Sequence, residues 1–224
     1  MRPLSTFGDS RTGAACAFCG KANATRDHVP SRVLLDEPFP SDLPVIGACQ
    51  PCNNGFSIDE EYLACLVECA LAGSTDPARV SRPKVARILE ETPALRRRLE
   101  AARTVGANGC EFSVERDRVE RVLVKLAIGH ALHELHEVAS EAPSNVRFHP
   151  LVLLDDETRN AFESVDAPIG WPEVGSRAMQ RMAAGEYGWL EVQSGRYRFL
   201  ATIGGSARIR MVLSEYLACE VLWD

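Results

Sequence analysis

The segment CAFCGKANATRDHVPSRVLLDEPFPSDLPVIGACQPCNNG (residues 16–55) decides the reading of this chain. It contains two C-x-x-C knuckles, Cys16/Cys19 and Cys49/Cys52, with twenty-nine residues between Cys19 and Cys49. Zn²⁺ favours four soft ligands in a tetrahedron, and two such turns supply four thiolates with little strain. Gly20 follows the first knuckle and permits the left-handed backbone that such turns often need. Cys16, Cys19, Cys49 and Cys52 are therefore expected to hold a structural Zn²⁺. Four thiolates leave no open position for water, so this zinc is scaffolding and any catalysis lies beside it.

Two further clusters flank the knuckles. Asp27-His28-Val29-Pro30 lies between them, and Asn53-Asn54-Gly55 follows the second directly. The order C-x-x-C, D-H-V-P, C-x-x-C-N resembles the HNH (ββα-metal) endonuclease family in its zinc-stapled form, over about residues 14–72. The resemblance implies two short antiparallel strands and a helix around one catalytic divalent cation, Mg²⁺ or Mn²⁺. It makes Asp27 a ligand of that cation, His28 the general base, and Asn53 the last ligand, with Asn54 as the alternative. It also implies nucleic acid as the partner, DNA before RNA. The family's middle asparagine has no counterpart in residues 41–48, where Asp42 and Ser41 are the polar side chains. The basic residue often found after the second knuckle is absent too.

The chemistry of these residue types agrees with that assignment. Phosphodiester hydrolysis needs an activated water and a neutraliser for the charge that builds on phosphate. A neutral imidazole near pH 7 can take the water's proton. A hard cation prefers the oxygen ligands that Asp and Asn offer, and would polarise the phosphate. Asp27 and His28 are adjacent, so on a regular strand they point to opposite faces. Both can serve one site only if the strand end is irregular, for which Pro30 supplies a reason.

Working outward, residues 1–15 read as a loose polar arm. Short strands are expected over 24–29 and 43–48. Ser57 with Glu60 matches a capping box, which predicts a helix over 58–72 ended by Gly73. Asp59, Glu60 and Glu61 would then sit in its first turn, where the macrodipole favours acids. The middle, 73–142, reads as helical: Pro83 and Pro93 each start a helix, and 114–139 has one long apolar stripe. Residues 143–224 alternate or run apolar between glycines, predicting an antiparallel sheet with a hairpin turn at Ser194-Gly195. The chain is thus expected to be α+β: an N-terminal zinc-bound ββα-metal module over 16–72, a helical middle, and a C-terminal antiparallel sheet.

The 224 residues carry a net charge of −6. That balance argues against a general nucleic-acid coat, though a local basic patch can still steer a substrate. The two basic runs, 79–87 and 96–98, read first as solvated helix faces. No apolar run approaches a membrane span and the first residues lack a signal-peptide core, so no membrane partner and a cytoplasmic location are expected. In a reducing compartment eight cysteines point to metal rather than disulfides. Cys65 and Cys69 read as core, Cys110 and Cys219 as isolated and buried. His130, His133 and His136, with Glu134 or Glu137 nearby, read as interfacial or solvated, and Trp171, Trp189 and Trp223 as core. A homodimer would convert single-strand nicking into a double cut. The competing function is a non-catalytic zinc module that binds nucleic acid or protein; a redox role for the C-x-x-C pairs is a third reading.

Overall fold

The computed structural model describes residues 15–106, 109–139, 141–165, 170–204 and 207–223; the arm expected over 1–15 lies outside them except for residue 15. The chain divides into two compact units. One holds the described residues up to Gly55 together with those from Leu123 onward, and the other is Phe56–Val122.

In the first unit, β1 (Thr25–His28) pairs antiparallel with β2 (Val45–Ala48), Thr25 opposite Ala48 and His28 opposite Val45. Helix α1 (Gln50–Ala72) follows at once. It starts well before the Ser57 capping box because the second knuckle is itself the helix start: the Asn53 N–H donates to the Cys49 carbonyl at 3.0 Å. Pro51 falls in the first turn, where its missing N–H costs nothing. Asp59 is therefore a mid-helix residue, not the first-turn acid that the capping box implied.

The second half of this unit is a five-stranded sheet built from β5 (Asn145–Pro150), β6 (Leu190–Gln193), β7 (Tyr197–Ile203), β8 (Ala207–Leu213) and β9 (Leu217–Leu222). Its order is β5-β9-β8-β7-β6, antiparallel throughout. The β6–β7 hairpin turns where expected, with Gly195 at φ 69°. The apolar run 207–223 is split by a turn at Ser214 and Glu215, both left-handed (φ 52° and 46°). Two helices also interrupt this region, α5 (Asp156–Glu163) and α6 (Arg177–Ala184). Each begins on a side-chain cap: the Thr158 N–H donates to Asp155 Oδ1 at 2.7 Å and the Met179 N–H to Ser176 Oγ at 3.2 Å. Fully buried Arg210 donates to the carbonyls of Ala161 and Phe162 near the end of α5, which satisfies acceptors that the helix cannot. Trp171 is 79% exposed, contrary to the core reading.

Helix α4 (Arg116–His130) joins the two halves of this unit from Leu123 onward. It passes into a π-helical turn, Ala131–Leu135, and stops at His136 (φ 60°), short of the expected residue 139. His130 is neither interfacial nor solvated. It is fully buried, its Nε2 lies 2.9 Å from Tyr197 Oη, and its ring stacks on Phe199 with centroids 3.7 Å apart. Glu134 is buried as well and takes His133 Nδ1 and Arg181 Nε, each at 3.2 Å. The β1–β2 connection is fastened to the sheet: the Asp36 N–H and C=O bracket the Gln193 amide at 2.8 and 2.9 Å, and the Asp36 carboxylate pairs with Arg196.

In the unit Phe56–Val122, Gly73 (φ 59°) ends α1, and α2 (Pro83–Glu91) and α3 (Pro93–Ala101) start at their prolines as expected. A hairpin of β3 (Arg103–Gly106) and β4 (Gly109–Phe112) lies in a region read as helical. Cys65 and Cys69 are buried core residues, and burial pushes both thiols up to about 12. Cys219 is buried, whereas Cys110 is half-buried, with Arg103 Nε donating to its sulfur. Asp59 accepts from Arg118 at 2.6 Å and Arg121 at 3.0 Å. Among the described residues no helix is long and apolar enough to cross a membrane.

Burial, with His133 as a second and smaller influence, holds His130 well below its ordinary 6.5. The unfolded chain then takes up this proton first as pH falls, so stability is lost on acidification from about pH 7 toward pH 5. His130→Gln, which keeps a polar partner for Tyr197 and cannot charge, should flatten the decline of Tm over that interval.

Candidate functional site

The four cysteine sulfurs all lie within 4.8 Å of one another, and Cys19 Sγ and Cys49 Sγ are 3.6 Å apart. A tetrahedral zinc with Zn–S near 2.3 Å sets its sulfurs about 3.8 Å apart, so the quartet fits a zinc ion. The local chain explains the convergence. In the first knuckle the Gly20 N–H returns to the Cys16 carbonyl at 2.9 Å and the Cys16 N–H donates to Lys21 O at 2.7 Å, with Gly20 at φ 70°. The Ala17 N–H donates to Gly47 O at 3.0 Å, which joins this knuckle to β2. The second knuckle is the first turn of α1. Cys16 and Cys49 are buried and Cys19 is exposed. Burial works to raise the Cys16 thiol, but N–H groups of Cys49, Phe18 and Cys19 outweigh it and bring it down to about 7; burial and the neighbouring sulfurs raise Cys52. A metal-free nest can thus shed a proton near neutrality, and zinc draws off the others.

The hairpin beside this nest carries the remaining sequence candidates. β1 stays regular through His28, and the Val29 N–H still reaches Pro44 O at 2.9 Å, so Pro30 ends the ladder only afterwards. Side-chain alternation then puts Thr25 and Asp27 on one face with Ile46 and Ala48, and Arg26 and His28 on the other with Gly47 and Val45. Burial follows the same division: Asp27, Ile46 and Ala48 are buried, whereas Arg26 and Val45 are exposed.

Asp27 faces Lys125 of α4. Its Oδ2 lies 2.8 Å from Lys125 Nζ, and Lys125 also donates to Ser31 Oγ at 2.7 Å. The side chains are 9% and 2% exposed, a dry ion pair between strand and helix. One turn further along α4, Gly129 makes room for Val29: a Cβ there would come within 2.6 Å of Val29 Cγ2. Val29, Ile46 and Leu132 then close a small apolar core.

His28 is half-buried, and its Nδ1 is buried without a hydrogen-bond partner among the described residues. Burial first, then the positive charges of Arg32 and Lys125, lower its pKa below 6.5, with Asp27 opposing. The imidazole is neutral at pH 7. Asn53, in the first turn of α1, donates from Nδ2 to Thr25 Oγ1 at 3.2 Å and to the Arg26 carbonyl at 3.3 Å. Asn54 is exposed, its Oδ1 accepting from Gln50 Nε2 at 3.5 Å. Asp42 is half-buried in the loop before β2.

The structure therefore brings the four cysteines together and seats Asn53 on β1, but it turns Asp27 and His28 to opposite faces. Among the described residues, the four cysteines are the only group of three or more His, Cys, Asp or Glu close enough to hold a metal ion. Sequence reasoning missed Lys125 and Gly129. A lysine inside the otherwise apolar stripe of α4, and a glycine four residues on, were the signals available.

No protein-family model matches the chain, and comparisons with curated proteins and with solved structures gave no match either.

Two outcomes follow from this geometry. Purified protein should carry one zinc per chain, and chelation or Cys49→Ser should abolish the ordered β1–β2 signals in amide exchange while Phe56–Val122 keeps its protection. Breaking a buried ion pair from one side costs about 3–5 kcal/mol. Lys125→Met and Asp27→Asn should each destabilise on that scale in denaturant titrations. The double variant should cost clearly less than the sum, by at least about 1 kcal/mol.

Proposed function

We propose that this chain is a zinc-stapled HNH-type endonuclease that hydrolyses phosphodiester bonds of nucleic acid, DNA before RNA. One observation carries the reading. A four-sulfur nest, a strand ending in a neutral half-buried histidine, and an asparagine from the first helical turn seated on that strand occur together in one unit. His28 is the group suited to take a proton from water. Arg26 shares its face of the hairpin, so phosphate has a cationic partner on that side.

A divalent cation, when bound, would add Lewis-acid stabilisation of the phosphate. The residues present do not complete a site for it: Asp27 is engaged by Lys125, and among the described residues the four cysteines are the only group of three or more His, Cys, Asp or Glu close enough to hold an ion. The reaction is therefore read through His28 and Arg26 alone. The buried Asp27–Lys125 pair favours a second reading, a non-catalytic zinc module that binds without cutting.

A plasmid-nicking assay decides between the two. Zinc-loaded wild type, with and without added Mg²⁺ or Mn²⁺, is expected to nick supercoiled DNA, and His28→Ala to lose roughly 10²-fold or more of that rate at unchanged zinc content. Equal cutting by the two proteins would remove His28 from the mechanism, and no cutting by either would leave the binding module as the function.

A further inference from the structure

One stretch of this acidic chain is strongly basic. Between Arg79 and Arg103 eight basic residues stand against three acidic ones, in a chain of net charge −6. Part of that charge is internally satisfied. Arg82 pairs with Glu68 at 3.8 Å, both nearly fully buried, Arg98 with Glu115 at 3.1 Å, and Arg103 with Glu100 at 3.1 Å. Arg79, Arg87, Arg96 and Arg97 are exposed and form no ion pair among the described residues.

Arg96 and Arg97 line a single open recess of the unit Phe56–Val122, together with Ser74, Thr75 and Arg103. Two acids also border it. Glu100 accepts from the Thr75 hydroxyl at 2.6 Å and pairs with Arg103, and Asp76 accepts the Ala78 N–H at 3.1 Å. The recess presents three guanidinium groups against two carboxylates, and Glu100 is offset by Arg103. Adjacent like charges repel, and nothing in the packing of α3 requires them, since Leu99 supplies its fully buried contact.

We infer that this recess is a docking surface for the phosphate backbone of duplex DNA, with Arg96 and Arg97 as the phosphate-neutralising residues. Guanidinium forks match phosphate oxygens in pairs, and each phosphate neutralised releases condensed counterions. The choice of DNA over another polyanion rests on the nuclease reading; the excess of positive charge does not. The surface also accounts for substrate attraction by a chain whose overall charge would repel it.

The test reads binding, with the duplex confirmed intact on a denaturing gel after each titration. Zinc-loaded full chain, with no Mg²⁺ or Mn²⁺ added, is titrated against a short fluorescein-labelled duplex over a series of salt concentrations and followed by anisotropy. Arg96→Gln/Arg97→Gln should weaken binding at low salt and reduce the slope of log K against log salt by about two. Arg159→Gln, an exposed arginine of α5, should change neither. An unchanged slope in the double variant, an equal loss with Arg159→Gln, or polyglutamate competing as well as unlabelled duplex overturns the assignment. Nicking is read in its own assay, so a failed docking surface and a failed nuclease site give different results.

Discussion

The N-terminal segment is organised around four sulfurs that converge closely enough to hold one ion. Cys19 and Cys49 are separated by twenty-nine residues, many of them turn formers, that carry only two four-residue strands. A hairpin of that size is marginal in water by itself. Closing it with thiolate–metal bonds removes the entropy that the loop would otherwise keep, and it does so at the base of the hairpin. The same closure fixes the start of α1, because the second knuckle is both ligand pair and helix initiation. Asn53 reaches β1 only because the helix begins at Gln50.

A second constraint acts from the other side. α4 presents Lys125 to Asp27 and Ser31, a bare Gly129 to Val29, and Leu132 to Ile46. A buried ion pair has little net worth compared with a well-packed apolar pair, but it tolerates only one arrangement. Sliding β1 by one residue would bury His28 against Lys125 and expose Asp27. The pair therefore sets the register of the hairpin against the helix, and with it the face on which the histidine emerges. A few residues later the same helix buries His130 against Tyr197 and Phe199 of β7, which is how distant parts of the chain come to share one unit.

What was legible in the sequence is what local chemistry determines. The knuckles, the proline starts of α2 and α3, Gly73 as the stop of α1 and Gly195 in the β6–β7 turn each follow from a residue's own backbone or ligand preference. The α+β arrangement with a C-terminal antiparallel sheet follows from periodicity. The start of α1 was misplaced because Ser57 and Glu60 form a sound local cap, and only the folded knuckle overrides it. The β3–β4 hairpin lies in a stretch read as helical. Lys125, Gly129 and Arg210 were not legible, since their meaning lies in partners far along the chain. The face of Asp27 was half-legible: alternation predicts the split from His28, but the lysine that holds it inward has no sequence signature.

That split bears directly on chemistry. A carboxylate already neutralised by a buried ammonium at 2.8 Å gains little from a second cation, because the Coulomb attraction has been spent and the like-charged pair would repel at short range. Admitting a divalent ion at Asp27 requires either that Lys125 withdraw from a site where its side chain is 2% exposed, leaving its charge buried and unpaired, or that the ion take only the other oxygen. The hairpin's opposite face has no such conflict. There His28 is kept neutral by burial and by Arg32, and Arg26 stands beside it on the same strand. On the proposed nuclease reading, proton abstraction and phosphate neutralisation would both fall on that surface, while the carboxylate on the buried face serves the fold.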